Sequence, residues 1–265
     1  MEIIDGRKIA EKVKDGIVSE ICKFNGPRPS LAIILIGERE DSKLYVSLKE
    51  KEGAKVGVDT HLYKIDSDVS EEEVLKVIDF LNKDKSIDSI LIQLPLPEKF
   101  NADKIIAAIN PEKDVDGFHP RHPDYIVSPV LASVNACLEE IKFDSRGKKA
   151  CLFYNSEVFG LGLKKLLTEM KMEIISQETV CRADLLITAL GEPLKIKKGM
   201  VKEGAVVIDI GITKKDGKVL GDVDSSDLKD IDGFITPVPG GIGPMTIAFL
   251  FKNVLEIFKR KIDSK

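Results

Sequence analysis

Leu31-Ala-Ile-Ile-Leu-Ile36, then Gly37, then Ser42-Lys-Leu-Tyr-Val-Ser-Leu-Lys-Glu-Lys51, decides how this chain is read. The apolar run is a strand and the glycine turns the chain. Asp41 is the candidate N-cap of a helix over 41–56, because its side-chain oxygen can take a free N–H of the first turn. On that helix Ser42, Tyr45 and Lys49 stand at i, i+3 and i+7 and share one face. Leu44 and Leu48 form the neighbouring stripe and are expected to hold that face to the core. A hydroxyl, a flat ring and an ammonium therefore follow the carboxyl end of a strand, where open α/β sheets take ligands. The same spacing also fits an exposed helix with a solvated lysine, so other segments must decide.

Outward from this stretch, strands and helices alternate. Residues 7–24 read as a helix, with Ile9, Val13, Ile17 and Ile21 at i, i+4 spacing. After the 31–36 strand and 41–56 helix come a strand at 59–65, a helix from Glu71 capped by Asp68 or Ser70, a strand at 89–93 and a short helix at 101–109. This alternation argues for a parallel sheet with right-handed crossovers. Residues 110–128 lack regular periodicity, and a loop of that length is usually functional or a linker. A helix at 130–141 leads to a second series, with strands near 150–154, 172–175, 184–189, 205–210 and 233–235 and a first helix at 158–169. A final apolar helix begins at Thr246. The expected fold is α/β, with two α/β domains around a cleft. Residues 1–128 plus the C-terminal helix 246–265 form the first domain, and 129–245 form a Rossmann-like second.

Composition removes several functional classes. The chain has 265 residues, 43% hydrophobic, and a net charge of −4, which argues against disorder and against a broad nucleic-acid footprint. No apolar run approaches the roughly 20 residues that span a bilayer. The N-terminal residues lack the pattern of a signal peptide. Cys22, Cys137, Cys151 and Cys181 are scattered without a CxxC pair, as free thiols in a reducing cytoplasm would be. No metal site is expected. Asp116, His119 and His122 lie in an irregular loop with no fourth ligand pattern.

Four further segments carry chemistry. Gln93-Leu-Pro-Leu-Pro97 ends the third strand; its prolines stop pairing and leave Gln93 at the carboxyl end of the sheet. Asp114-Val-Asp-Gly-Phe-His119 offers two carboxylates, with Asp116 either a turn former before Gly117 or an acceptor for a ligand with several N–H donors. Pro237-Val-Pro-Gly-Gly-Ile-Gly-Pro-Met-Thr246 sets glycines and prolines between a strand and a helix, where glycine lets a ligand approach bare backbone and Pro244 suits a first helical turn. Cys151-Leu-Phe-Tyr-Asn-Ser-Glu-Val-Phe-Gly-Leu-Gly162 is a strand–turn–helix with a partial Gly-x-Gly, placed to hold phosphate at a helix N-terminus.

Together, Tyr45-Val-Ser-Leu-Lys49, Gln93–Pro97, Asp114–Pro120 and Pro237–Thr246 closely resemble the bifunctional methylenetetrahydrofolate dehydrogenase/cyclohydrolase (FolD) family, in the same order from about Ile3 to the last helix. The resemblance implies oxidation of 5,10-methylenetetrahydrofolate with NADP, then hydrolysis to 10-formyltetrahydrofolate. It implies Lys49 as catalytic lysine, Tyr45 stacking on the folate, Gln93 positioning Lys49, and Asp116 holding the pterin. Ser42, Pro239, Gly240 and Gly241 join the substrate site. Tyr154, Asn155, Ser156, Thr179, Ile212 and Gly241 line the cofactor site. A cytoplasmic homodimer acting on tetrahydrofolate derivatives, with neither membrane nor nucleic-acid partner, is implied as well.

The sequence departs from the family in the cofactor half. Tyr154 stands where a glycine is usual, and Gly162 where a proline is. The short Ser176-Gln-Glu-Thr-Val-Cys-Arg182 segment carries Glu178 instead of the usual basic residue. An acidic residue there favours NAD, so NAD is the alternative cofactor. Other readings are a two-lobed amino-acid or hydroxy-acid dehydrogenase, which leaves the Gln93–Pro97 segment unexplained, and a nucleotide-sensing non-enzyme, for which Tyr154 is the best support.

Overall fold

A computed structural model describes residues 1–263. In chain order its elements are β1 (Glu2–Ile3), α1 (Gly6–Ile21), β2 (Ser30–Ile36), α2 (Glu40–Val56), β3 (Asp59–Ile65), α3 (Glu71–Lys83), β4 (Ser89–Ile92), α4 (Ala102–Ala107), α5 (Pro129–Glu140), β5 (Lys149–Tyr154), α6 (Glu157–Glu169), β6 (Glu173–Ile175), β7 (Leu185–Ala189), β8 (Ala205–Asp209), β9 (Thr213–Lys215), β10 (Lys218–Leu220), β11 (Gly233–Ile235) and α7 (Ile242–Asp263). They form two compact units: Met1–Ala10 with Val130–Thr246, and Glu11–Pro129 with Ile247–Lys265.

The unit containing residues 11–129 is built on a parallel three-stranded sheet, ordered β3-β2-β4. Every residue of β2 and β4 is buried, which is why both strands read as unbroken apolar runs. One face packs Leu31, Ile33 and Leu35 against Ile17, Val46 and the α7 residues Leu250, Phe251, Val254 and Leu255. The other packs Ala32, Ile34 and Ile36 against Val74, Ile78 and Leu81 of α3. α3 begins at Ser70, whose hydroxyl accepts from Glu73 N while the Glu73 carboxylate accepts from Ser70 N, a reciprocal capping box. Because β2 leads to β3 on one side and β4 lies on the other, the sheet changes direction between β2 and β4. Ligands of open α/β sheets bind outside the carboxyl ends of the strands at such a point.

The sequence expectation for α2 needs two corrections. Arg39, not Asp41, occupies the N-cap position, and it makes no side-chain cap. Asp41 sits inside the first turn, where it accepts from Ser42 N and pairs with the Arg39 guanidinium. Leu44 and Leu48 do not hold the helix to the core: they are 55% and 38% exposed. Ser42, Val46, Gly53 and Val56 are the buried residues instead. The helix thus buries small and β-branched residues and leaves its leucines outside, the reverse of what hydropathy predicts.

The other unit carries a parallel six-stranded sheet, ordered β1-β11-β8-β7-β5-β6. Its core gathers Cys151, Phe153, Leu186, Val207, Val223 and Ile235. Here the change of direction falls between β5 and β7, as in dinucleotide-binding folds. Two features were absent from the sequence expectation. Residues 1–10, assigned above to the first domain, belong to this unit: Glu2 and Ile3 pair with Phe234 and Ile235, and Ile4 N donates to Ile235 O at 2.8 Å. A two-residue strand has no periodicity to read. The other is the β9–β10 hairpin, turned through Asp216 and Gly217, both at positive φ.

α7 starts at Ile242, four positions before the expected Thr246, with Pro244 in its first turn, where no N–H is required. Of the expected helix 246–265, residues 264 and 265 lie outside the described residues. Among the described residues no helix is long and apolar enough to cross a membrane.

Candidate active site

The α2 face and the end of β4 meet at one point. Lys49 Nζ donates to Gln93 Oε1 at 2.9 Å, and Gln93 Nε2 donates to Leu94 O at 2.7 Å. The second bond fixes the amide so that its carbonyl faces the amine. Burial holds the Lys49 ammonium below its usual range, against the opposing pull of Asp116. Burial also pushes the Asp116 carboxyl up to about 6, with Lys49 pulling it down and Asp114 pushing it further up. Tyr45, 37% exposed, presents its ring on the same helix. Its hydroxyl is held above its usual range by burial first and by Asp41 second. Ser42 is buried, and its Oγ is the buried side-chain polar atom without a hydrogen-bond partner among the described residues. A cavity of about 10 Å³ beside this group is lined by Ile92, Leu94, Ile106, Asp114, Asp116 and Phe118.

The irregular 110–128 segment is held by polar groups at both ends. Asn253 of α7 is buried, and its Nδ2 donates to Val115 O and to Val127 O, both at 2.9 Å. One side chain thus ties together the two ends of the loop that carries Asp116, and sequence reasoning missed it. The available signal was an asparagine within an apolar helical stripe, which is costly unless bonded. Asp114 accepts from His119 N at 2.8 Å. His119 is buried; its Nδ1 accepts from Arg121 N, so Nε2 carries the proton and faces Ala107 O at 3.2 Å. His122 Nδ1 lies 3.1 Å from Pro123 O. Both imidazoles bond to backbone, His119 bridging the loop to Ala107 of α4, and among the described residues no His, Cys, Asp and Glu cluster is arranged to hold a metal ion.

In the six-stranded unit, Tyr154 ends β5, Asn155 follows it, and Ser156 caps α6, its hydroxyl accepting from Phe159 N at 3.4 Å. A Cβ at Gly160 would overlap the Tyr154 ring, so glycine there is what admits the tyrosine. Lys164 lies 5.3 Å from the centre of that ring. Gly162 faces Leu131 of α5, a helix-packing contact. After β6, Gln177 Nε2 turns back to Leu152 O at 2.9 Å, which commits one of its two amide N–H groups. Thr179 Oγ1 donates to Ser176 O at 3.0 Å, while Glu178 and Arg182 are exposed. Ile212 is 46% exposed beyond β8.

In the Pro237–Thr246 loop Pro239 is exposed, whereas Gly240 and Gly241 are buried. Gly240 adopts φ +110°, open to glycine alone, and a Cβ there would crowd Arg7. A Cβ on Gly241 would lie 2.6 Å from Pro237 O. The chain's own backbone therefore accounts for these two glycines before any ligand does.

An ammonium–amide pair with nearby carboxylates at one switch point, and a separate sheet of dinucleotide-binding topology, define a two-domain α/β enzyme with a dinucleotide domain. Comparison with known proteins makes this specific. Residues 4–116 match the tetrahydrofolate dehydrogenase/cyclohydrolase catalytic domain, and residues 129–262 match the NAD(P)-binding domain of the same enzymes. The chain belongs to the tetrahydrofolate dehydrogenase/cyclohydrolase family, enzymes of one-carbon folate metabolism. The bifunctional protein FolD of Lactobacillus delbrueckii subsp. bulgaricus is 39% identical over 277 residues, covering 98% of each chain. The crystal structure of bifunctional FolD from Campylobacter jejuni superposes with a TM-score of 0.94 at 32% identity, covering 98% of this chain and 99% of that one. The Trypanosoma brucei enzyme, solved with NADP and an inhibitor, gives 0.92 at 29% identity over 98% of both chains.

Proposed function

We propose that this protein oxidises 5,10-methylenetetrahydrofolate to the 5,10-methenyl cation with NADP and hydrolyses that product to 10-formyltetrahydrofolate. The observation that carries the reading is the 2.9 Å Lys49–Gln93 pair in the unit matched by the family's catalytic-domain model, electrostatically coupled to Asp116. Ring opening needs proton transfers around the folate nitrogens and the attacking water. An ammonium held below its usual range exchanges protons nearer neutral pH. Gln93 orients that amine through a neutral oxygen and adds no charge that would reverse the shift. Tyr45 offers a flat face for stacking on the folate, Asp116 accepts N–H donors of the pterin, and Ser42, Pro239, Gly240 and Gly241 complete the substrate contacts.

The residues at the second switch point fit a dinucleotide. Ser156 opens α6, whose free N–H groups favour phosphate. Beside it, Gly191 leaves open space around its Cα except for Asn155. Tyr154, Asn155, Ser156, Thr179, Ile212 and Gly241 would hold the cofactor, with residues 1–10 and 129–245 as the dinucleotide domain and 11–128 plus 246–263 as the folate domain. When bound, NADP supplies hydride acceptance. Exposed Glu178 after β6 is the observation that favours NAD instead. The protein works in the cytoplasm as a homodimer. The test is to mix it with methylenetetrahydrofolate and NADP or NAD, following methenyl and reduced-nicotinamide absorbance. Reduction coupled to methenyl appearance and decay is expected; neither signal with either cofactor would overturn the reading.

A further inference from the structure

Two buried carboxylates, Asp209 at the carboxyl end of β8 and Asp222 just after β10, stand outside every role given so far. Asp209 is 3% exposed and Asp222 0%. Asp209 accepts from Gly211 N at 3.0 Å, Asp222 N at 3.1 Å and Val223 N at 2.9 Å. Asp222 accepts from Thr188 Oγ1 at 2.8 Å, Leu190 N at 2.6 Å and Glu192 N at 2.9 Å. The arrangement is reciprocal. A Cβ on Gly211, two residues after Asp209, would overlap the Asp222 carboxylate, and a Cβ on Gly221, just before Asp222, would overlap the Asp209 carboxylate. Each aspartate thus sits against a glycine beside the other, and two separate chain segments lock together.

What this lock holds is the Leu190–Glu192 turn. That turn leaves β7 at the change of direction between β5 and β7, the place where dinucleotides lie in such sheets. Gly191 at its tip has φ +71° and is exposed, with open space on its Cβ side beyond Asn155. Asn155, at the end of β5, donates Nδ2 to Leu190 O at 2.7 Å, and Thr213 Oγ1 donates to Gly191 O at 3.0 Å. Asp222 takes the N–H groups on either side of the tip. Charge-assisted bonds from backbone donors to a desolvated carboxylate are among the stronger ones a protein can form. A binding turn held to within a fraction of an ångström loses little freedom when its ligand arrives.

We propose that Asp222, itself fixed by Asp209, is a positioning residue for the dinucleotide, acting by presetting the backbone of residues 190–192. The inference rests on the dinucleotide-binding reading above. The experiment is calorimetric titration of the full-length protein with NADP and NAD, on the wild type, Asp222→Asn and Thr188→Val. Asp222→Asn turns an amide N–H towards backbone donors. It is expected to raise Kd at least tenfold at unchanged stoichiometry per chain. Thr188→Val keeps both backbone bonds to the carboxylate and is expected to stay within threefold of wild type. If Asp222→Asn binds with wild-type Kd, whether at full or reduced stoichiometry, the aspartate serves only folding and the proposal is wrong. If Asp222→Asn does not fold, Gly211→Ala displaces the Asp222 carboxylate from the side and must weaken binding likewise; wild-type Kd for Gly211→Ala overturns the proposal. A wild type that binds neither dinucleotide overturns this proposal and the cofactor reading together, whereas normal wild-type binding with unaffected variants overturns this proposal alone.

Discussion

Lys49 and Asp116 carry opposite charges and opposite shifts, and burial is the first cause of both. For each the loss of solvation outweighs the attraction of the other's charge. Lys49→Met keeps much of the side chain's bulk and removes the proton. Hydrolysis of supplied methenyltetrahydrofolate is expected to fall by about 10²–10⁴, the range typical of a lost acid–base group, with a smaller loss in hydride transfer. Normal hydrolysis by this variant would remove Lys49 from the chemistry. For Asp116 the expectation concerns pH. Burial pushes its carboxyl up to about 6, so the anion proposed to accept pterin N–H groups forms as pH rises through that value and is lost as pH falls through it. Folate affinity should show an acid limb centred near 6 in the wild type and none in Asp116→Asn. Asp116→Ala should cost about 1.5–3 kcal/mol of folate binding. An acid limb retained in Asp116→Asn would assign it to another group.

At the scale of elements, what was legible followed from continuous pattern. β2 and β4 stood in the sequence as apolar runs, α1 as an i, i+4 stripe, and the start of α3 as a cap at Asp68 or Ser70, which the structure resolves to Ser70. The Lys49–Gln93 meeting followed from placing both at carboxyl ends of neighbouring strands. What failed was tied to tertiary context. Leu44 and Leu48 point outward while Ser42 is buried, which no moment over a single helix predicts. The order of the 110–128 loop depends on Asn253, more than a hundred positions away. Asn253→Leu leaves two buried carbonyls without a donor. It should destabilise the protein by about 2 kcal/mol or more, seen in thermal unfolding, and raise the folate KM while leaving dinucleotide Kd unchanged. An unaltered folate KM would confine Asn253 to stability. The segment after β6 decides the cofactor. With one Gln177 N–H given to Leu152 O and the Thr179 hydroxyl to Ser176 O, exposed Arg182 is the donor left to meet a 2′-phosphate, opposed by Glu178. We expect kcat/KM to favour NADP, Glu178→Gln to widen that preference and Arg182→Ala to narrow it. Preference for NAD in the wild type, shifted towards NADP by Glu178→Gln, would show that the generic acidic-residue rule governs this loop.

For the molecule as a whole, the return of the last helix to the first domain was legible in the sequence and the structure has it there, whereas the place of residues 1–10 was not legible. Residues 1–10 complete the edge of a sheet whose other strands begin at Lys149, and residues 247–263 fill the core of the unit that begins at Glu11. A two-residue edge strand carries no local signature of the partner it will find; only the contact reveals it. The four cysteines divide in a way that has a practical consequence. Cys137 and Cys151 are buried, their thiols pushed up to about 12 and about 11 by desolvation, whereas Cys22 and Cys181 are exposed, one in each unit. Because only a thiolate attacks an electrophile, a maleimide should couple to two sites in the native protein and reach the other two only after denaturation. The chain thereby carries an unengineered pair of attachment points for fluorescent labels, one in each unit, so that a label at either site reports on the unit that bears it.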